Sequence, residues 1–273
     1  MVTTMAYVYD IDDEARTSLT GQMFSTHPSP DSEHGYACHV VHGTSEWSNL
    51  GRWLELSSFG PTLGDTADDF EREYGRYEDR SLFLIVSRNE VPLGVVRLIR
   101  GTTDGNKTVD DLASLFPVEK TTLMSAVTDG PFDNVWDIGT AGILPSDRGE
   151  HDMFVPFALL LRAGFVSGER RGATAYTVVV DQHAKSRLEW CGVLFHNMHP
   201  AIPNPFPYIT STDSYALSSS ASCIHTQACQ VRDDLRAAHN QDSDRVNTNR
   251  LVVLEMLTSG RGLDELIVET EHP

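Results

Sequence analysis

A chain of 273 residues with 40% apolar and 22% charged residues carries enough apolar material for a substantial core, and its composition is that of a folded protein rather than a disordered one. Its 39 acidic and 21 basic residues leave a formal charge of -18, a field that repels nucleic acid and anionic membrane surfaces, and no local basic patch offsets it. The longest apolar stretch, Met153 to Val166, contains Pro156 and Arg162 and is too short for a bilayer. Asp10, Asp12, Asp13 and Glu14 stand where a signal peptide would be basic and then apolar. Four scattered cysteines, Cys38, Cys191, Cys223 and Cys229, do not make a disulfide scaffold. The expectation is a cytoplasmic protein with reduced thiols, no nucleic-acid partner and no membrane insertion.

Residues 1–34, rich in Thr, Ser, Asp and Pro, read as a weakly ordered leader with one apolar patch, Ala6-Tyr7-Val8-Tyr9. Tyr36 to Val41 reads as a first strand. Ser45 then caps a helix in which Trp47, Leu50, Trp53, Leu54 and Leu56 recur at helical spacing, and Phe59-Gly60-Pro61 ends it. A second helix is expected from about Thr66 to Glu78, with Phe70, Tyr74 and Tyr77 on one face. Residues 82–87 and 91–99 form a hairpin around Arg88-Asn89-Glu90, and both strands are apolar on both faces, so the sheet should be covered on both sides. Gly101 to Asn134 reads as a loop with two short helices, Val109–Phe116 and Glu119–Val127. Val135 to Leu144 is a strand, Phe154 to Val166 an apolar helix, Gly172 to Val180 a β-branched strand, and Asp181 caps a helix through about Phe195. The unit 135–180 implies parallel pairing by a right-handed crossover, whereas the hairpin is antiparallel. Beyond the proline-rich segment 201–207, Tyr215–Cys223 is a last strand, and two helices follow, Gln230–His239 and Val246–Leu257.

Three segments carry a resemblance. Leu93-Gly94-Val95-Val96-Arg97-Leu98 is similar to "VVGxxRL", Leu112-Ala113-Ser114-Leu115-Phe116-Pro117 to "LxxxFP", and Val135-Trp136-Asp137-Ile138-Gly139-Thr140-Ala141-Gly142-Ile143 to "VWExSRxAV". In that order the chain resembles the GNAT acyltransferase superfamily, in its autoinducer (acyl-homoserine lactone) synthase and N-acyl amino acid synthase branch. Thr140 and Gly139 stand where the branch has Arg and Ser, and Arg148-Gly149-Glu150-His151-Asp152-Met153 where it has RGxGxG/A. The resemblance implies an α/β (α+β) fold: a central mixed, mostly antiparallel sheet with a splayed parallel strand pair and helices on both faces. It places the acyltransferase domain at 35–223, after the leader and before a helical extension at 224–273.

Acyl transfer needs a thioester whose carbonyl is polarised and a base for the ammonium proton. The strand 135–144, with Gly139 and Gly142 permitting a bulge and close approach, is the expected track of the pantetheine arm, and Ile143 and Leu144 lie on it. Arg148, Gly149, His151 and Met153 precede a helix whose amides favour the donor's phosphate, although Glu150 and Asp152 add negative charge there. Asp137 is read as the base, or else as a strand-edge carboxylate that fixes a loop. Glu73 and Glu78 are matched loosely to the branch's catalytic acids. Arg97 either grips a substrate carboxylate or forms a buried ion pair with Glu73 or Glu78, and Trp136 and Thr140 complete the substrate side. His183 and His196 read as capping or surface histidines ahead of acid–base groups, and Cys191 as core. Cys38-His39 with His42, and Cys223 with His225 and Cys229, lack the paired spacing of a zinc site, so no metal is expected.

These features lead to an N-acyltransferase that takes acyl-CoA or the phosphopantetheine of an acyl-carrier protein as co-substrate and the amine of a small molecule, such as an amino acid, as acceptor. A catalytically silent binding protein of the same fold is the alternative, and a lactone-type signal synthase a second one.

Overall fold

A computed structural model of the chain describes residues 7–32, 34–144, 154–209, 211–241 and 247–270. In chain order the elements are α1 (Asp13–Thr26), β1 (Tyr36–His42), α2 (Ser48–Leu63), α3 (Ala67–Tyr74), β2 (Ser81–Arg88), β3 (Val91–Arg100), α4 (Lys107–Leu115), α5 (Lys120–Val127), β4 (Val135–Ile143), α6 (Phe154–Arg170), β5 (Ala175–Asp181), α7 (Gln182–Trp190), β6 (His196–Asn197), β7 (Phe206–Tyr208), β8 (Ser211–Ser220), α8 (Ala221–Gln241), α9 (Thr248–Ser259) and β9 (Ile267–Glu269). The pairing is mixed and mostly antiparallel, with β4–β5 and β1–β9 parallel. The chain folds as two compact units. One comprises Met1–Ile99, Thr140–Ser167 and Asp264–Pro273, the other Arg100–Gly139 and Gly168–Leu263.

In the first unit β9, β1, β2 and β3 lie side by side. The hairpin turns on two residues in the left-handed region, Asn89 and Glu90, at φ 49° and 63°, the geometry that matches strand twist in a two-residue turn. Thr66 and Asp69 form a reciprocal capping box at the start of α3, whose Phe70 and Tyr74 are buried. The helix α2 runs past the expected stop at Pro61, because that residue sits in the last turn and Gly64, at φ 80°, ends the helix instead. The segment expected as a weakly ordered leader contains α1. Asp12 caps this helix by accepting from the Ala15 amide at 2.8 Å, and Met23 and Phe24 pack with Val41, Leu50, Leu54 and Phe83. At the other end of the sequence β9, which the reading of a purely helical tail left out, pairs in parallel with Cys38–Val40.

In the second unit the first four residues of β4 pair with β5, from Val135↔Ala175 to Ile138↔Val178. On its other side β5 is antiparallel to β8 along its whole length, Ala175↔Ser220 to Asp181↔Ser214. The strand expected at Tyr215–Cys223 lies earlier, at Ser211–Ser220, because the chain turns into α8 at Ala221. A core of Val109, Leu112, Phe132, Val135, Met198 and Phe206 fills this unit.

Candidate functional site

On α2, Ser48, Arg52, Glu55 and Ser58 recur at intervals of four and three residues, which places them on one helical face, and all four are buried. Glu78 follows α3 in a 3-10 turn, and Arg97 comes from β3. The Arg52 guanidinium donates to Glu78 Oε2 at 2.6 Å, to the Gly43 carbonyl at 2.7 Å and to Ser48 Oγ at 2.6 Å. Arg97 grips Glu55 bidentately, Nε to Oε1 at 2.9 Å and Nη2 to Oε2 at 2.5 Å, and Nη1 donates to Glu78 Oε1 at 3.0 Å. Tyr9 closes the cluster: its hydroxyl accepts from Arg97 Nη2 at 2.9 Å and donates to Glu78 Oε1 at 3.0 Å. The Thr140 hydroxyl, from β4, donates to Glu55 Oε1. Two guanidiniums therefore face two carboxylates, each of the four side chains at most 1% exposed.

Burial by itself would push the Glu78 carboxyl up, but Arg97, together with Arg52, outweighs it and holds the group below the usual glutamate range. Burial likewise works against the Arg97 charge, and the Glu55 carboxylate overrides it, so the guanidinium titrates well above its ordinary value. Burial raises the Tyr9 phenol, which stays a neutral donor.

Beyond Thr140 the strand runs close to its neighbours. A Cβ on Gly142 would fall 2.9 Å from Ser58 Cβ, and one on Gly94 would fall 2.7 Å from the Gly142 carbonyl oxygen, so only glycine fits either place. Ala141 is exposed, Thr140, Gly142 and Leu144 are half-buried, and the Leu144 amide donates to Leu93 O at 2.8 Å.

A different carboxylate sits in the second unit. Asp137 is 1% exposed, and its Oδ2 accepts from the Thr108 amide at 2.6 Å and from the Thr177 hydroxyl at 3.3 Å. Asn106 caps α4 and donates its side-chain amide to Thr177 Oγ1 at 2.7 Å, so the start of α4 is clamped around Asp137. Lys107 Nζ is held by Tyr208 OH at 2.6 Å and Asp111 Oδ2 at 2.7 Å. Burial pushes the Asp137 carboxyl up to about 6, against the opposing pull of the Thr108 amide and Lys107.

Of the residues named from sequence, Glu78, Arg97 and Thr140 come together in the first unit. Glu78 is one of the two partners expected for Arg97, and Glu55 stands where Glu73 was the other. Glu73 lies half-buried on α3 and adds its field to the half-buried Asp65. Trp136 and Asp137 are both buried in the second unit, while Ile143 ends β4 in the first and Leu144 follows it. Arg148, Gly149, His151 and Met153 lie outside the described residues. Arg52, Glu55 and Tyr9 were not named from sequence. The signal available for the first two was a pair of charged residues at helical spacing within an apolar stretch. His39 is buried and held neutral by burial, while its Nε2 lies 2.9 Å from His27 O. No group of three or more His, Cys, Asp or Glu side chains among the described residues is placed to hold a metal ion.

No protein-family model and no curated protein sequence matches the chain. Among solved structures, the N-acyl amino acid synthase FeeM from uncultured soil microbes matches with a TM-score of 0.50 at 8% identity, over 70% of this chain and 94% of that one. The chain shares the fold of that synthase. A CoA-dependent acyl-homoserine lactone synthase, BjaI, solved with SAM and isopentyl-CoA, matches at 0.47 and 11% identity over 88% of this chain and 95% of its own. The AHL synthase LasI matches at 0.39 and 11%, over 52% of this chain and 64% of that one. At these identities the likeness is one of architecture. Among the described residues no helix of the chain is long and apolar enough to cross a membrane.

Proposed function

We propose that the protein is an N-acyltransferase that moves an acyl group from a thioester donor, acyl-CoA or an acyl-carrier protein, to the amine of a small molecule such as an amino acid. The observation that carries this reading is the end of the parallel ladder. Pairing of β4 with β5 stops after Ile138↔Val178, although β5 continues to Asp181 and β4 to Ile143. Ala141, on the stretch of β4 beyond that ladder, is exposed, and the fold shared with an N-acyl amino acid synthase supports the same reading. In this mechanism the pantetheine arm lies along Thr140–Leu144. The amine attacks the thioester carbonyl, the thiolate leaves, and the ammonium proton is relayed to Asp137, which is ionised above about pH 6.

One observation favours a second reading. Asp137 anchors the start of α4 through the Thr108 amide, as a structural carboxylate would in a binding protein without turnover. Incubation with acyl-CoA or acyl-carrier protein and a panel of amines separates the two, with free thiol and acylated product both measured. Asp137→Asn should lower kcat by about 100-fold or more while donor affinity stays within about twofold. A donor that binds without thiol release identifies the silent binder, and consumption of S-adenosylmethionine with a lactone product identifies a signal synthase. Failure to bind any acyl thioester sinks both acyltransferase and donor-binding readings.

A further inference from the structure

One imidazole outside the carboxylate sites is enclosed in the first unit. His39 lies in the middle of β1, fully buried, between Ile85 of β2 and Val268 of β9. The end of α1 covers it. The Phe24 ring stands edge-on to the imidazole at 4.9 Å, and the carbonyl of His27, the residue that caps the helix, lies 2.9 Å from Nε2. A carbonyl oxygen only accepts, so the hydrogen-bond pattern assigns the ring proton to Nε2 and leaves Nδ1 bare. Nδ1 is buried with no hydrogen-bond partner among the described residues. The neutral ring therefore satisfies its one donor, whereas the cation would carry a second N–H with nothing to accept it.

No facing charge compensates that cation. The His27 imidazole, packed against Trp47 at 5.0 Å, acts on His39 and opposes a second positive charge. On α1 the charged residues Asp13, Glu14 and Arg16 lie at the opposite end of the helix. Arg52 and Glu55 of α2 are held by Glu78 and Arg97, and Arg88 of β2 stacks on Tyr36. Glu269 of β9 acts on Cys38, whose side chain leaves the other face of the sheet, and Asp31 and His34 of the connecting loop are exposed. We propose that His39 is an acid-sensitive latch for α1: a proton taken up at Nδ1 drives the ring from its site and frees the end of the helix, with Met23 and Phe24, from the sheet. The other end of this segment is held separately, by Tyr9 in the Arg97 cluster, so opening starts at His27. The device does not depend on the acyl-transfer reading.

Amide hydrogen exchange of the full chain tests it, each rate being divided by the intrinsic rate at the same pH. Because opening binds one proton, the opening constant at the end of α1 should be flat above about pH 6.5, the ordinary imidazole value, and should rise toward tenfold per pH unit below it. His39→Gln, whose amide can donate to the same carbonyl but does not titrate, should flatten that curve in α1 and leave the α8 amides as in the wild type. His27→Gln keeps the carbonyl and should keep the steep curve. A wild-type α1 whose opening constant does not rise in acid overturns the proposal. So does a change in His39→Gln that is as large in β2 as in α1, since the histidine would then stabilise the whole unit rather than latch one helix. A wild-type NMR titration, which needs no variant to fold, overturns it as well if the His39 ring titrates at or above its ordinary value.

Discussion

The molecule holds buried carboxylates in two settings, and near-equal burial shifts their pKa values in opposite directions. Glu78, 1% exposed in the first unit, is held below the usual range because two guanidiniums share it. Asp137, 1% exposed in the second, is pushed up to about 6, because burial outweighs its backbone amide and Lys107. Burial sets the size of the penalty, and the charge of the partners decides whether the group titrates up or down. The first cluster is saturated and neutral, which suits a structural clamp that holds Thr140 in place. The second leaves a carboxylate that changes state near neutral pH, which suits proton transfer.

The comparison breaks most visibly at Arg97. Arg97→Met leaves Glu55 and Glu78 facing a single guanidinium in a buried site, and should cost about 3–5 kcal/mol of stability in a denaturant titration. A loss below about 1 kcal/mol would show that the cluster does not clamp the first unit. The pH dependence at Asp137 comes next. Its folded pKa of about 6 lies above the ordinary value of about 3.9, so the stability its protonated form contributes is complete below about pH 4 and lost as pH rises through about 6. At about 1.4 kcal/mol per unit, the stability difference between Asp137→Asn and wild type should move by about 3 kcal/mol in favour of the variant from pH 4 to pH 7. Glu78 has the opposite sign: with its pKa lowered, its contribution is present above about pH 4.3 and disappears as pH falls through the folded value. A flat difference curve for Asp137→Asn would remove the contrast. The smallest effect is expected at Tyr9→Phe, which deletes one hydroxyl from the saturated cluster and should cost about 1–2 kcal/mol, read from the same denaturation curves. An effect as large as that of Arg97→Met would make the phenol, rather than the ion pairs, the keystone of the cluster.

Much of the local architecture was legible in the chain. The hairpin at 81–100, the α4–α5 pair, β4, the apolar α6 and the Asp181-capped α7 all follow from periodicity, turn residues and caps. Asp137 and Arg97 could be picked out because each lies in a motif on a regular strand. Tyr9, Arg52 and Glu55 could not be assigned partners. Arg97 meets Glu55 across 42 residues of sequence and Tyr9 across 88, and Arg52 meets Glu78 across 26. Helix α1 was missed because only Met23 and Phe24 of it are buried, too few for a stripe to stand out in a polar segment. Strand β9 was missed because three residues are too short for a periodic signal.

Alternating and helical apolar spacing, with Thr66, Asp181 and the Asn89-Glu90 turn, determined which segments become strands and helices, because those preferences act over one or two turns of chain. Which buried charges face each other, and so which carboxylate stays ionised and which holds its proton to about pH 6, was decided only when distant segments packed. The reason is that electrostatic energy in a low-dielectric interior depends on distances of a few ångströms between groups, and no local pattern of residues encodes those distances.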